Sequence, residues 1–426
     1  MTKMALETIG CRLNQYETEK MAARLLACGF ERVSIKDDAD VYIINTCTVT
    51  GRADATCRNI ISRIARREKK SALVVAGCYV DADPEKMASL TGVDLIIPNS
   101  RKDDIVAILM EKFPALFDGR LPHEDVAVLI DFHEHNRAWI KIGAGCNQNC
   151  AYCIIPRVRG RIQNRPADEI IREINCLSEN GYNEVVLTGV HIGKYRDAGA
   201  KSLSDLIGRI LERTPLSRVR LSSIEPQEVD DELLGVMHDG GRRVCRHLHI
   251  PLQSGSDRIL RIMHRPYLSD DYIRICENAK NKIPGLVIGA DIIVGFPGET
   301  DEDFGGSVNV ARSGVVDYIH AFSYSDRPGT EASLMSGKIK PDIIKQRNRI
   351  LREISADNYE RALKREIGRT AYIISEYRDE GGSRYYGMTD NYLQAVIPHE
   401  CGGGKKIIAM QVTGADANYL SGEIIG

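Results

Sequence analysis

Short apolar runs alternate with helical patterns in two separate blocks of this sequence, and that alternation constrains the fold more than any other feature. In the first hundred residues MALETIG, VYIINT, ALVVAG and DLIIP are interleaved with helical patterns such as NQYETEKMAARLLACG. Strands that alternate with helices predict a small, mostly parallel sheet, with ligands beyond the carboxyl ends of its strands. A second block starts at AWIKIG, residues 138–143, and runs through EVVLTG, RVRLSS, RHLHI, LVIGADIIVGF and VDYIHAF. Five helical patterns separate these six strands, which predicts an open parallel barrel whose functional groups sit on loops after the strands.

Between the blocks lies a less regular stretch with Pro114, Gly119 and Pro122, read as a linker. After a helix from about Asp342 to Glu366, the last sixty residues become β-rich and are broken by Gly-Gly and Asp-Asn turns, which fits a small β-barrel. The expected organisation is therefore α/β: residues 1–113 as an N-terminal domain, 114–136 as linker, 137–365 as an open (β/α)6 barrel and 366–426 as a β-barrel.

No apolar run approaches the roughly 20 residues that cross a bilayer, and MTKMALETIG lacks the layout of a signal peptide. A cytoplasmic, membrane-free location is expected. In that reducing compartment the twelve Cys are candidates for metal binding or catalysis rather than a disulfide framework. Cys11, Cys47 and Cys78 each fall at or just after the end of one of the first three apolar runs, so they should meet at one sheet edge. Cys146, Cys150 and Cys153 form a C-x3-C-x2-C loop directly after the first barrel strand. Iron–sulfur clusters usually take four Cys, so three leave one iron open for a substrate or cofactor. Structural zinc is the competing reading; it closes with four ligands, commonly as paired C-x2-C units, and no second pair exists here. Cys28, Cys57, Cys176, Cys245, Cys276 and Cys401 have no ligand spacing and read as packing, with Cys57 closest to a candidate ligand.

GAGCNQNCAYC resembles the loop of radical S-adenosylmethionine (SAM) enzymes. The resemblance implies a 4Fe–4S cluster on Cys146, Cys150 and Cys153 that binds SAM and cleaves it to a 5'-deoxyadenosyl radical, with Tyr152 near the adenine. ETIGCRLNQYETE, INTCTVTGRAD and VVAGCYVDADPEK resemble the three Cys segments of the methylthiotransferase family. Together with the final VTGADANYLSGEII, similar to the RNA-binding TRAM domain, the likeness spans nearly the whole chain. It implies a second 4Fe–4S cluster, on Cys11, Cys47 and Cys78, that carries the sulfur to be inserted. After Cys78 this chain reads YVDADPEK, where many relatives have a Gln two or three positions on.

LTGVHIG, LSSIEPQE, HIPLQSGSD and DIIVGFPGET place small and polar groups after the later barrel strands. Gly189 would let backbone approach a ligand, and Glu225 and Gln253 could hold polar atoms of SAM. Asp257 and Thr300 suit caps of the helices that follow. LTGVHIG, RLSSIEP and HLHIPLQSGSD are most similar to the branch that methylthiolates N6-threonylcarbamoyladenosine in tRNA. The competing branches act on isopentenyladenosine in tRNA or on a ribosomal-protein aspartate; a non-catalytic iron–sulfur RNA-binding protein is the rival from another class.

With 57 basic against 59 acidic residues the chain does not bind RNA through bulk charge. Local basic stretches lie at 58–70, 157–165 and 338–365, and these could neutralise the phosphates of a tRNA anticodon loop. Residues 368–426 hold five Lys or Arg against seven Asp or Glu. Tyr372, Tyr377, Tyr385 or Tyr386 stacking on bases is the better contact there. An electron donor such as flavodoxin or ferredoxin and a monomeric chain complete the expectation.

Overall fold

The computed structural model describes residues 1–67, 71–117, 131–132, 135–379 and 384–425. Most of the expected linker, and Glu68, Lys69 and Lys70 of the first basic stretch, lie outside them. The chain clusters into two compact units. One comprises Met1–His133, Ala144–Gln163 and Ser325–Thr330; the other comprises Glu134–Gly143, Asn164–Tyr324 and Glu331–Gly426.

The first unit is built on a five-stranded parallel sheet in the order β2-β1-β3-β4-β5. Its strands are β1 (Lys3–Thr8), β2 (Glu31–Val33), β3 (Val41–Thr46), β4 (Ala72–Gly77) and β5 (Leu95–Ile97). Every residue of β3 and β4 is buried, as continuous apolar runs covered on both faces demand. One face packs Met21, Leu25 and Leu109; the other packs Cys57, Ile61 and Ile64 of the helix Gly51–Ala65.

In the second unit β6 (Ala138–Lys141) opens an arc that continues through β9 (Glu184–Thr188), β10 (Arg218–Leu221), β11 (His247–His249), β12 (Val287–Val294) and β13 (Tyr318–Ser323). Two-residue strands β7 (Gly143–Ala144) and β8 (Gln163–Asn164) bracket the Cys146 loop. The arc consists of two three-stranded parallel sheets, joined by bridges Val219 to Val244 and Ser223 to His249. The expected six-stranded open barrel is therefore present, with a helix after each of its first five strands.

The C-terminal strands β14 (Thr370–Arg378), β15 (Arg384–Thr389), β16 (Gln394–Pro398), β17 (Ile407–Ala415) and β18 (Leu420–Ile424) close a barrel in the order β14-β15-β16-β18-β17. It is joined to β10 by buried charge. Arg218 and Arg220 alternate with Val219 and Leu221, so both point to one face of the strand. Glu184, the register partner of Arg218 on β9, binds both guanidinium groups, with Arg220 Nε at 2.7 Å. Their remaining N–H groups donate to the carbonyls of Tyr372 (2.7 Å), Met388 (3.2 Å), Thr389 (2.8 Å) and Asp390 (3.1 Å).

Candidate metal and cofactor site

The structure brings the two Cys triplets into the same compact unit. Cys11 caps the helix Arg12–Ala27, Cys47 follows β3, and Cys78 starts the short helix Cys78–Ala82 directly after β4. All three therefore sit at carboxyl ends of neighbouring parallel strands. Burial pushes the Cys47 thiol up to about 12, and the neighbouring Cys11 and Cys78 add to that rise. A thiol so buried ionises at neutral pH through metal coordination.

Two glycines make this convergence possible. Gly10 has φ +112°, and a Cβ there would meet Cys47 Cβ at 2.6 Å. Gly77 has φ +106°, and a Cβ would lie 2.5 Å from the Thr46 carbonyl. Only glycine lets the backbone preceding Cys11 and Cys78 approach the Cys47 loop this closely.

Asn14 clamps the same loops. Its amide donates to the carbonyls of Ile9 and Thr46, each at 2.9 Å, which immediately precede the Gly10–Cys11 and Cys47 segments. Its Oδ1 accepts from Arg159 Nη2 at 2.5 Å. Arg159 lies six residues beyond Cys153, and its Nε donates to Cys78 Sγ at 3.2 Å. Its other nitrogens bind Glu17 at 2.9 and 3.1 Å. Glu17 also takes Lys102 Nζ at 2.7 Å. Burial acts against the Arg159 charge, but Glu17 and Cys78 outweigh it and raise its pKa; burial pushes Lys102 down. Cys78 also packs with Ile154 and Val158 of the segment after the second triplet.

Arg327 holds the Cys47 loop from another side. It donates to the Thr48 carbonyl at 3.2 Å and pairs with Asp54 at 2.7 Å, while Ser325 accepts from the Gly51 amide at 3.0 Å. Asn14, Glu17, Arg159 and Arg327 were not singled out by sequence pattern. The available signal was i, i+3 spacing of Asn14 and Glu17 behind Cys11, and lone arginines in Gly- and Pro-rich turns.

In the second triplet Cys146, Cys150 and Cys153 are half-buried. Gln148 N–H donates to Cys146 Sγ at 3.3 Å, and the loop is closed by Cys146 N–H to the Gly160 carbonyl (3.0 Å) and Cys153 N–H to the Cys150 carbonyl (3.0 Å). Each triplet offers three thiols, one fewer than a closed structural zinc site takes, and three thiols leave one iron of a four-iron cluster without a protein ligand. Cys57 is buried, as Cys47 and Cys78 are, and its thiol donates to the Cys47 carbonyl at 3.5 Å. Cys28, Cys245 and Cys276 are likewise core residues.

Of the expected SAM contacts, Tyr152 lies in the Cys146 loop, half-buried, in the first unit. Gly189, Glu225 and Gln253 belong to the second unit and follow β9, β10 and β11. A Cβ at Gly189 would lie 2.9 Å from the Gly143 carbonyl. Glu225 is paired with Arg265; burial raises its pKa, opposed by that guanidinium. Gln253 has φ +65°, and its backbone pairs with β12 through Asp291 and Ile293. Thr300 does cap its helix and accepts from Asp303 N–H at 3.2 Å. For Asp257 the expectation is corrected: Ser256 is the cap, and Asp257 instead accepts from Ser269 N–H and Oγ, both at 2.8 Å.

Residues 140–311 match the Radical SAM superfamily, and residues 3–98 match the Uncharacterized protein family UPF0004. The chain is 34% identical to Threonylcarbamoyladenosine tRNA methylthiotransferase MtaB of Aquifex aeolicus, covering 92% of this chain and 95% of that one. MtaB of Bacillus subtilis is 33% identical, covering 100% and 97%. The tRNA-2-methylthio-N(6)-dimethylallyladenosine synthase of Thermodesulfovibrio yellowstonii is 31% identical, covering 99% and 98%. The solved radical S-adenosylmethionine methyltransferase TsrM of Kitasatospora setae shares the fold, with TM-score 0.59 at 16% identity over 78% of this chain and 74% of that one. The chain belongs to the tRNA methylthiotransferase family of radical SAM enzymes.

Proposed function

We propose that this protein adds a methylthio group at C2 of N6-threonylcarbamoyladenosine beside the anticodon of tRNA. The observation that carries this reading is identity along nearly the full length of relatives named for that reaction, in a chain that carries two Cys triplets. Cys146, Cys150 and Cys153 would hold one 4Fe–4S cluster, and Cys11, Cys47 and Cys78 a second. When bound, the clusters and SAM supply the radical and sulfur chemistry that side chains lack. Arg159 and Asn14 then hold the Cys78 and Cys11 loops in register. Tyr152, Gly189, Glu225 and Gln253 are proposed SAM contacts; the left-handed backbone of Gln253 is a strain of the kind that accompanies binding sites.

Phosphate contact falls to exposed basic faces. The helix Gly51–Ala65 and the residues just beyond it present Arg63 and Arg66, and the helix Pro341–Lys364 presents Lys345, Arg349 and Arg352. The stretch 157–165 contributes less, because Arg159 turns inward and Arg165 pairs with Glu173 at 2.7 Å. In the C-terminal barrel Tyr377 and Tyr386 stack at 5.0 Å, with Tyr377 exposed, and offer the base platform. Tyr372 is bound by Arg242 instead.

We read residues 1–113 as the methylthiotransferase domain, 114–136 as linker, 137–365 as the radical SAM core and 366–426 as the TRAM domain. The setting is a cytoplasmic monomer reduced by a flavodoxin or ferredoxin; among the described residues no helix is long and apolar enough to cross a membrane. Mass spectrometry of tRNA nucleosides from cells lacking the protein tests the substrate. Loss of the methylthio form with retained threonylcarbamoyladenosine supports it. Loss from isopentenyladenosine instead assigns the other branch.

A further inference from the structure

His249 ends β11, Asp291 lies within β12, and His320 lies opposite Asp291 in the register of β13. Asp291 Oδ1 is 3.2 Å from His249 Nε2 and 3.3 Å from His320 Nδ1. His249 Nε2 and Asp291 Oδ1 are buried, and beyond these close approaches neither makes a well-aligned hydrogen bond among the described residues; against burial, which alone would raise it, the imidazoles hold the Asp291 carboxyl well below its ordinary range. Lone pairs that converge without hydrogen bonding leave buried polar atoms uncompensated, which is costly unless something else binds them.

We infer that His249, Asp291 and His320 form a binding site for one divalent transition-metal ion, separate from the two Cys triplets. Ligands about 2.0–2.1 Å from a tetrahedral ion lie roughly 3.3 Å apart, which matches the two separations of Asp291 Oδ1 from the imidazoles. Imidazole and carboxylate donors suit zinc and ferrous iron. A support for the first ligand is in place: His249 Nδ1 lies 2.8 Å from Ser223 Oγ. With its proton on Nδ1 the ring donates to the hydroxyl and presents Nε2 to the ion, the arrangement that orients metal-binding histidines. Three protein ligands leave a coordination position open. The half-exposed His320 marks the entry, and an oxygen ligand would fill that position.

Zinc is the probe. The full chain, with its iron–sulfur clusters reconstituted anaerobically so that the Cys triplets are occupied, is dialysed against micromolar zinc and analysed for both metals. The native chain should retain about one zinc. Its X-ray absorption should show nitrogen and oxygen scatterers near 2.0 Å and no sulfur near 2.3 Å. His320→Ala and Asp291→Asn should lose at least tenfold in zinc affinity, and Ser223→Ala about tenfold, with iron content unchanged. His320 is half-exposed, so its replacement should leave the circular dichroism of the chain intact. Absence of retained zinc in the native chain, a sulfur shell, or equal zinc affinity in His320→Ala would overturn the inference.

Discussion

Each unit of this protein contains a buried glutamate that holds buried cations, and the two arrangements end differently. Glu184 holds Arg218 and Arg220, with Arg137 at 3.4 Å as a third cation, and the spare N–H groups of Arg218 and Arg220 finish on backbone carbonyls of the C-terminal barrel. Glu17 holds Arg159 and Lys102, and the spare N–H of Arg159 finishes on the thiol of Cys78. The electrostatic device is the same: in each, one carboxylate offsets the desolvation of more than one charge. The destination of the remaining donors separates a joint that holds strands together from one that positions a proposed metal ligand.

The joint should break most severely. Glu184→Gln leaves two guanidinium groups buried without their counter-charge, and such a loss costs about 3–5 kcal/mol. Denaturant unfolding should show that loss while iron per folded chain stays unchanged. Acid should do part of the same work. Burial alone would raise the Glu184 carboxyl, but Arg218 and Arg220 hold it well below its usual 4.5. A depressed folded pKa gives stability that is complete above the unfolded value and fades as pH falls through it toward the folded one. Unfolding measured below about pH 4.5 should therefore be steeper in pH for the native chain than for Glu184→Gln.

Arg159→Met should have the next largest effect, and of another kind. Glu17 keeps Lys102, so the fold should lose less than in Glu184→Gln, while Cys78 loses a charged donor. Hydrogen bonds and charge at ligand sulfurs tune reduction potential. Potentiometry followed by electron paramagnetic resonance should find one of two cluster signals shifted to lower potential and the other unmoved. Equal shifts in both, or none, would place Arg159 with the structural arginines.

This contrast was only partly legible in the amino-acid sequence. Strand alternation predicted both parallel arrays, because burial on both faces leaves continuous apolar runs, and six ligand candidates followed from strand ends and from C-x3-C-x2-C spacing. RVRLSS reads as a barrel strand, but nothing local says that its Arg218 and Arg220 are 1% and 0% exposed. The covering partner lies some 150 residues away in sequence, and local periodicity carries no trace of it. Arg159 was counted among surface charges for the same reason. Its partners Glu17 and Cys78 are 142 and 81 residues distant. A charged residue's burial depends on its distant partners, whereas an apolar run states its burial locally.

A third set of arginines sharpens the comparison by lacking what both others have. Arg63 and Arg66 are exposed and make no ion pair among the described residues. Arg63 meets the partly buried Glu7 only through space, opposing the rise that burial gives its pKa, so Arg63→Gln with Arg66→Gln should change stability by only about 0.5 kcal/mol or less. If their face meets phosphate, each lost charge should reduce the slope of log affinity against log salt by about 0.9 for duplex and 0.7 for single strands. An anticodon stem-loop titrated at several salt concentrations reads this directly. A double variant with native stability and a slope reduced by roughly 1.4–1.8 would make these the RNA-facing arginines. An unchanged slope would return them to the solvent, and leave the helix Pro341–Lys364 as the basic face to test by the same titration.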